Sequence, residues 1–412
     1  MPRPASYACY RCGATYPIGL PIDSQGCPQC SQIAPSNFKV VYNGTEQKLM
    51  ADSRKWSLPS LWRYADRLPY GADVAVSLGE GLSPLLPADR LGREIGIVKL
   101  FLKNEGRNPT WSHKDRFSTV AITAAKQAGA GVVATSSTGN AGASLAAYAA
   151  VAGIPCVVAT LAGSAGPMAA QIQKYGARIV PFLHKADRWA FLEKGVERFG
   201  WFATSPYSHP VVGSHPIGIE GYKTIAFEIV EQMDGSVPDW CALPVCYGDA
   251  LVGLWLGFRE LMDSGEIDRM PRLLAAEAHG SLARALAQGT DQIPDMPATF
   301  AALAVSVGAS RSTFQALKAL RETNGIAVPV TNDGLVFLQQ KIGALEGAFL
   351  ELSATMPIAA IATAKRQGII ADDETVVAVV TASGLKDVDR STANPNPEAF
   401  DDVEAALKQF GT

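Results

Sequence analysis

The sequence predicts an α/β protein with two open, mostly parallel-sheet domains of three layers each, together with a small metal-binding module at the N-terminus. Three observations predict this class. The chain has 412 residues, which is enough for two or three domains. Short β-branched runs alternate with Ala-rich segments of helix length, and four cysteines form two close pairs near the start. The composition, 48% hydrophobic and 18% charged, is typical of a well-packed globular protein.

The four N-terminal cysteines form two Cys-x2-Cys pairs with fourteen residues between them. They are Cys9, Cys12, Cys27 and Cys30. In a reducing compartment, such pairs are typical of metal ligands rather than disulfides. We predict a zinc ribbon over residues 1–35 with tetrahedral Zn2+ in a closed structural site, and iron or a metal-free module are the alternatives. Arg3 and Arg11 are its only basic residues, which favours a structural part of an enzyme over a nucleic-acid module.

Short runs that are apolar on both faces predict buried strands. They span 131–135, 155–160, 177–182, 240–245, 272–277 and 375–381. Segments with helical length and spacing alternate with these runs. They span 115–129, 141–152, 167–175, 185–198, 221–233 and 251–264. Strands of this kind, separated by helices, predict parallel sheets covered on both sides. A loose linker after Asp387 and a last helix over 398–409 complete the chain.

The order of these elements predicts two domains after the ribbon. Residues 36–118 and 230–412 are expected to form a large domain, and residues 119–229 a smaller mobile domain that grips the substrate. Open α/β sheets bind ligands where their strands end in loops. We therefore expect the functional site in a cleft between the two domains.

Charge and hydropathy exclude several classes of partner. The chain has 36 Lys and Arg against 39 Asp and Glu, a formal net charge of −3, so a broad nucleic-acid surface is not expected. The longest apolar stretches, such as 141–155, are rich in Ala and Gly and too short for a membrane span. The first residues carry no apolar core of a signal peptide. A cytoplasmic protein without nucleic-acid or membrane partners is therefore expected.

The run Phe101–Arg116 is the strongest candidate for chemistry, because it places Lys114 just after a Pro-Thr-x-Ser turn and at the start of a predicted helix. A lysine amine that is held and partly desolvated can join a carbonyl compound covalently. The helix dipole would favour an anion nearby. His113, next to Lys114, is placed to donate a hydrogen bond to such an anion.

This run resembles the lysine motif of pyridoxal-phosphate (PLP) enzymes of the tryptophan-synthase fold, fold type II. It is most similar to the threonine synthase branch, with its Lys-x-Glu-x-x-Asn-Pro-Thr-x-Ser-x-Lys-Asp-Arg. Other motifs of that branch follow in the same order, at 78–85, 220–224 and 381–387. The resemblance implies PLP bound through Lys114, which then acts as the base that removes the substrate's α proton. His113 would be a cofactor contact.

The resemblance also implies roles for residues in three other loops. Ser137 and Thr138 would grip the substrate α-carboxylate, and Asn140 would lie against the phenolic oxygen of PLP. From the residues alone, an anion site at this helix N-terminus competes with an ordinary strand-to-helix turn. Thr381 would meet the pyridine nitrogen, and Glu346, in a Glu-Gly pair, would border the ring. The alternative for Glu346 is a surface helix charge.

A loop after the predicted strand 240–245 occupies the position of the family's glycine-rich phosphate loop. It consists of Cys246, Tyr247, Gly248, Asp249 and Ala250. Only Gly248 keeps the usual glycine, so the glycine pattern itself is weak. Its place in the chain nevertheless predicts that these residues hold the PLP phosphate.

The substrate side departs from the threonine synthase pattern. His215-Pro-Ile-Gly218 stands where that family usually carries Asn-Pro-x-Arg, and Trp111 stands where glycine is usual. Glycine cannot replace the grip of arginine on phosphate. We therefore expect Trp111 and His215 to contact the substrate.

The predicted activity is PLP-dependent elimination or replacement at the β or γ carbon of an amino acid. The family reaction, O-phosphohomoserine to threonine, is one possibility. β-Replacement as in cysteate synthase, ammonia loss as in diaminopropionate ammonia-lyase, and a non-catalytic PLP-binding regulator are the alternatives. The family resemblance also implies a homodimer acting on a small amino acid.

Overall fold

The computed structural model describes residues 3–18, 26–30, 34–43, 59–164, 166–391, 399 and 402–410. In chain order its strands are β1 (Arg3–Cys9), β2 (Thr15–Pro17), β3 (Phe38–Asn43), β4 (Leu85–Pro87), β5 (Lys99–Asn104), β6 (Val133–Ser136), β7 (Cys156–Leu161), β8 (Arg178–Phe182), β9 (Phe202–Ala203), β10 (Trp240–Pro244), β11 (Arg272–Glu277), β12 (Ile326–Pro329) and β13 (Thr375–Val380). Its α-helices are α1 (Asp89–Ile95), α2 (Lys114–Gln127), α3 (Asn140–Ala152), α4 (Pro167–Lys174), α5 (Lys185–Phe199), α6 (Pro216–Ile219), α7 (Lys223–Gln232), α8 (Asp249–Asp263), α9 (Ser281–Ala287), α10 (Phe314–Glu322), α11 (Leu335–Glu346), α12 (Leu352–Arg366), α13 (Val388–Ser391) and α14 (Val403–Phe410).

A six-stranded sheet in the order β12-β11-β10-β13-β5-β4 is parallel except for β4, which runs antiparallel to β5. Its strands are apolar on both faces. Trp240 and Ala242 pack into one core with α1, α11 and α12. Cys241 and Leu243 pack into another core with α7, α8 and α10. Two buried faces on one strand explain the continuous apolar runs in the sequence.

A four-stranded parallel sheet, in the order β8-β7-β6-β9, lies between residues 133 and 203. Helices α3 and α4 cover one face through Leu145 and Ile172. Helix α5 covers the other face through Trp189 and Leu192. Strands β6 and β8 are each followed directly by a helix, α3 and α5, so the first turns of both helices lie at the carboxyl edge of this sheet.

A three-stranded antiparallel sheet, β2-β1-β3, forms the N-terminal module. It packs through Tyr7 and Phe38 onto an apolar group that includes Trp62 and Val120 of the body of the protein. Among the described residues, no helix has both the length and the apolar character needed to cross a membrane.

The predicted strands and helices are confirmed in type, with bounds that shift by a few residues. Strands β4, β5, β9 and β12 were not predicted individually. Strand β5 ends Leu102-Lys103-Asn104, and a lysine in a central strand is buried here only because it is paired, as described below. The last helix spans Val403–Phe410 rather than 398–409, and residues 392–398 lie outside the described part of the chain. The proposed domain boundary at residue 118 falls inside α2 and stays a prediction.

Candidate active site

Lys114 is the first residue of α2, and the loop before it is held rigidly. Asp115 accepts hydrogen bonds from the backbone N and the hydroxyl of Thr110, both at 2.6 Å. The Ser112 hydroxyl accepts the backbone N–H of Lys114 at 3.2 Å. Trp111 takes a left-handed conformation with a φ of 64°. These local bonds fix the direction in which Lys114 leaves the backbone.

A buried ionic network holds the loop before Lys114 in place. Arg116 donates to Glu105 at 2.7 Å and to Glu228 at 2.6 Å, and Lys103 donates to Glu228 at 2.6 Å. All four side chains are at most 2% exposed. The network ties the start of α2 to the end of β5 and to α7. Most of the charged residues in the Phe101–Arg116 run therefore position Lys114 and do not face a ligand. Glu228 lies more than a hundred residues away along the chain and was not predicted from the sequence.

The amine of Lys114 lies in a small group of polar side chains. Its Nζ donates to the Tyr222 hydroxyl at 3.3 Å. Burial lowers the pKa of Lys114, while the nearby Asp249, Cys246 and Glu351 act in the opposite direction. Burial also raises the pKa of Tyr222 well above its usual value, so its hydroxyl stays protonated. No sequence pattern pointed to Tyr222, which occupies the variable position of Glu-Gly-x-Lys-Thr.

His113 is held between the Thr381 carbonyl and the Tyr222 ring. Its Nδ1 lies 3.2 Å from the carbonyl oxygen of Thr381, and a carbonyl only accepts, so Nδ1 carries the hydrogen. Burial and the Lys114 charge lower the pKa of His113 well below its usual value, so the ring is neutral. The predicted contact of His113 with the cofactor stays a prediction. The ring stacks on Tyr222 with a centroid distance of 5.5 Å.

The loop before α8 can cradle an anion. Gly248 has a φ of 94°, and a Cβ at this position would lie 2.4 Å from the Cβ of Ala316, so only glycine fits. The N–H of Val252 makes the first helical bond, to Gly248, which leaves the amides of the first turn for a ligand. The Ser312 hydroxyl, close to Gly248, is buried and has no partner among the described residues.

Asp249 and its neighbours complete this loop. The Asp249 carboxylate accepts from the backbone N and the hydroxyl of Ser214, at 3.2 and 2.7 Å, so it turns toward the 213–214 loop. Burial raises the pKa of the Cys246 thiol, which is near Lys114. Tyr247 packs with Trp189 of α5, and Ala250 is buried. The loop therefore contacts both sheets.

The N-terminus of α3 provides a second set of polar groups. The Ser137 hydroxyl accepts from the backbone N of Gly139 at 3.2 Å, and Thr138 is half-buried beside it. Asn140 donates from Nδ2 to Glu351 at 2.6 Å, while its buried Oδ1 has no partner among the described residues. Glu351 is also held by the Ser306 hydroxyl at 2.6 Å. Asn140 and Lys114 thus share one neighbour, Glu351.

The end of β13 closes the site. The carbonyl of Thr381 accepts the backbone N–H of His113 at 2.9 Å, and the carbonyl of Trp111 accepts the N–H of Ser383 at 3.1 Å. Thr381 is therefore next to the lysine loop, and its contact with the pyridine nitrogen stays a prediction. The Trp111 ring is 42% exposed.

The surroundings of two predicted site residues, Glu346 and His215, differ from those that the sequence predicted. Glu346 ends α11, and its carboxylate accepts the backbone N–H of Leu91 in α1 at 2.6 Å. The glutamate that the structure brings to Lys114 is Glu351. His215 stacks on Phe202 at 4.6 Å, and burial lowers its pKa to about 4, so it is a neutral ring.

The four N-terminal cysteines come together as predicted. Their Sγ atoms all lie within 4.8 Å of one another, with Cys9 and Cys30 at 3.9 Å and Cys12 and Cys27 at 3.8 Å. Zinc–sulfur bonds of about 2.3 Å in a tetrahedron would place the sulfur atoms roughly 3.8 Å apart. The arrangement is therefore compatible with a tetrahedral metal ion.

The α/β fold thus combines a partly buried amine at Lys114 with an anion cradle before α8 and a polar helix N-terminus at α3. A protein-family model described as pyridoxal-phosphate dependent enzyme matches residues 76–382. The chain belongs to this family.

Sequence relatives define the kind of enzyme more closely. The chain is 34% identical to the threonine synthase of Methanosarcina acetivorans over 383 residues, which cover 92% of this chain and 91% of the relative. It is 36% identical to that of Mycobacterium tuberculosis (strain ATCC 25618 / H37Rv) over 353 residues, which cover 84% and 94%. The predicted class, a threonine synthase-like PLP-dependent lyase acting by β or γ elimination or replacement, is confirmed by these relatives and by the family match.

Solved structures show the same fold at lower identity. Maize serine racemase has a TM-score of 0.62 and 20% identity, covering 73% of this chain and 88% of that one. A pyridoxal 5'-phosphate-dependent aspartate racemase has a TM-score of 0.63 and 21% identity, covering 76% and 93%. These neighbours confirm the predicted fold type II architecture.

Proposed function

We propose that the protein catalyses a PLP-dependent elimination on an amino-acid substrate, with O-phosphohomoserine to threonine as the first reaction to test. The observation that carries this proposal is the setting of Lys114. Its amine is partly buried, has a lowered pKa and lies in one group with the residues that precede α8. Such a setting is what a lysine needs to act as nucleophile and base.

The residues around Lys114 fit PLP. The amides of the Gly248–Leu251 turn and the Ser312 hydroxyl, which no described residue hydrogen-bonds, would hold its phosphate. Asn140 and Thr381 would contact the ring. When bound, PLP supplies an electron sink for the charge that develops at the substrate's α carbon.

The protein's own groups would supply the proton transfer. The lowered pKa of Lys114 raises the fraction of neutral amine at neutral pH, so Nζ can take the α proton. The Tyr222 hydroxyl accepts a hydrogen bond from this amine and limits its movement. Ser137, Thr138 and the free amides of α3 would bind the α-carboxylate.

A second candidate is a reaction at the β carbon of a shorter substrate. It is favoured by the packing at Gly218, where a Cβ would lie 2.4 Å from the Phe117 ring. An arginine at this position would therefore displace Phe117. The Phe117 ring thus occupies the space where the arginine of the Asn-Pro-x-Arg pattern would bind the substrate phosphate. O-Phosphoserine and diaminopropionate are the substrates that test this alternative.

The test is a comparison of three substrates with the PLP-loaded protein. We expect phosphate release from O-phosphohomoserine or O-phosphoserine, or ammonia release from diaminopropionate, and amino-acid analysis identifies the product. Threonine from O-phosphohomoserine would support the first candidate. If PLP is bound covalently and none of the three substrates reacts, the result would favour a non-catalytic PLP-binding regulator over an enzyme.

We also propose that the cysteine cluster holds zinc. Metal analysis of the purified protein should find about one zinc ion per chain. Cys27→Ser should remove most of it, because Cys27 is a member of the cluster. Cys156→Ser is the matched control, since Cys156 is a buried thiol in β7. Iron, no metal, or equal zinc in both variants would contradict the proposal. The homodimer, the cytoplasmic location and the lack of nucleic-acid or membrane partners stay predictions.

A further inference from the structure

Arg188, in the first turn of α5, is a largely buried cation for which the described residues provide no carboxylate partner. Its side chain is 7% exposed, and its Nε is buried with no hydrogen-bond partner. Among the residues that the structure describes, none accepts a hydrogen bond from this guanidinium or forms an ion pair with it. The buried cations Lys103, Arg116 and Lys223 all have carboxylate partners. The buried Lys386 donates to two neutral oxygens, of Thr110 and Gln171, so its amine also has hydrogen-bond partners. A buried charge costs free energy unless a partner compensates it.

Arg188 lies at an edge of the sheet where ligands commonly bind in folds of this kind. Helix α5 begins directly after β8, so Arg188 lies at the carboxyl edge of the four-stranded sheet. The Ser137–Asn140 turn, which follows β6, lies at the same edge. Ligands of open parallel sheets bind outside this edge.

Arg188 also lies near the loop that precedes α8. Tyr247 of that loop packs in one apolar cluster with Trp189 and Leu192 of α5. Arg188 is close enough to Tyr247 to interact with it electrostatically, and the neighbouring Cys246 interacts in the same way with Lys114. A ligand held at Lys114 and at the α3 N-terminus therefore has Arg188 within its surroundings.

We propose that Arg188 binds a second anionic group, at the far end of the substrate side chain, separate from the α-carboxylate. This inference rests on the proposed function, because it assumes an amino-acid substrate at Lys114. A guanidinium can form two parallel hydrogen bonds with either a phosphate or a carboxylate. Arg188 is then a specificity-determining residue that favours acidic esters over neutral ones.

The experiment compares three homoserine esters with the PLP-loaded enzyme. O-Phosphohomoserine and O-succinylhomoserine carry a distal anion, and O-acetylhomoserine does not. Arg188→Gln should lower kcat/KM for the preferred acidic ester at least about 30-fold, mainly through KM, because truncating a buried charge pair has effects of this size. The neutral ester should change less than about twofold. The acidic ester whose kcat/KM falls to that of the neutral ester in Arg188→Gln shows whether Arg188 binds a phosphate or a carboxylate.

Arg198→Gln is the matched control, since Arg198 is an exposed arginine on the same helix. It should leave every constant unchanged. Binding of the phosphonate analogue of O-phosphohomoserine and of succinate, measured by calorimetry, gives a readout that needs no turnover. If wild-type enzyme turns over no ester but binds one of these anions through Arg188, the proposed function fails and this inference stands.

Three results would overturn the inference. The first is a wild-type preference for the neutral ester. The second is an Arg188→Gln enzyme that keeps its preference for acidic esters and its affinity for their analogues. The third is loss of PLP itself from Arg188→Gln, which would make Arg188 a cofactor contact.

Discussion

Lys114→Ala is expected to abolish both turnover and the visible absorbance that the protein gains with PLP. We assign to this amine both the covalent bond to the cofactor and the removal of a proton from the substrate. Removal of a positioned general base alone costs about 10² to 10⁴ in rate, and loss of covalent attachment adds to this. We expect a loss of at least about 10³-fold in kcat, measured by product release with saturating PLP.

Lys126→Ala is the matched control for this variant. Lys126 lies near the end of the same helix and is exposed to solvent. It should keep full activity and absorbance. A Lys114→Ala protein with wild-type turnover would contradict the assignment, and so would equal losses in both variants.

Arg116→Met is expected to destabilise the fold by about 3–5 kcal/mol, because it leaves the buried carboxylates of Glu105 and Glu228 without their shared partner. Lys103 would still pair with Glu228, but Glu105 would lose its two bonds to the guanidinium. Urea unfolding followed by circular dichroism measures the effect as a lower midpoint.

Arg259→Met is the control for a surface ion pair. Arg259 pairs with Asp263 and Glu322, but its side chain is 44% exposed. Exposed pairs contribute at most about 1 kcal/mol, so the midpoint should change little. If the two variants lower the unfolding midpoint equally, the buried network stabilises the fold no more than an exposed ion pair does.

The sequence predicted those parts of the fold that local pattern determines. Runs such as 240–245 are apolar on both faces. This pattern is typical of strands in a parallel sheet that is covered on both sides. Strand β5 escaped individual prediction because Lys103 breaks its apolar pattern. A charged residue there is possible only with Glu228, and tertiary structure alone brings that partner.

The candidate site was predictable where one motif carries the chemistry. The run to Arg116 pointed to Lys114, and the strand-to-helix loops pointed to Asn140 and Gly248. The roles of these residues toward a cofactor stay predictions. Tyr222 reaches Lys114 from another part of the chain, so its place could not be read from local sequence.

Glu346 and Glu351 show how a local motif can mislead. The Glu-Gly pair pointed to Glu346, but Gly347 ends α11, and Glu346 binds the start of α1 instead. The bridge between Leu350 and Ser383 then carries Glu351 to the end of β13, beside Asn140. Only the pairing of these distant segments reveals which glutamate faces the site.

The most direct test of the account is to locate the covalent bond to the cofactor. The protein would be incubated with PLP, reduced with borohydride and digested, and its peptides analysed by mass spectrometry. We predict the added mass of reduced PLP on the peptide that contains Lys114. Labelling at a different lysine, or no labelled peptide, would contradict the central claim.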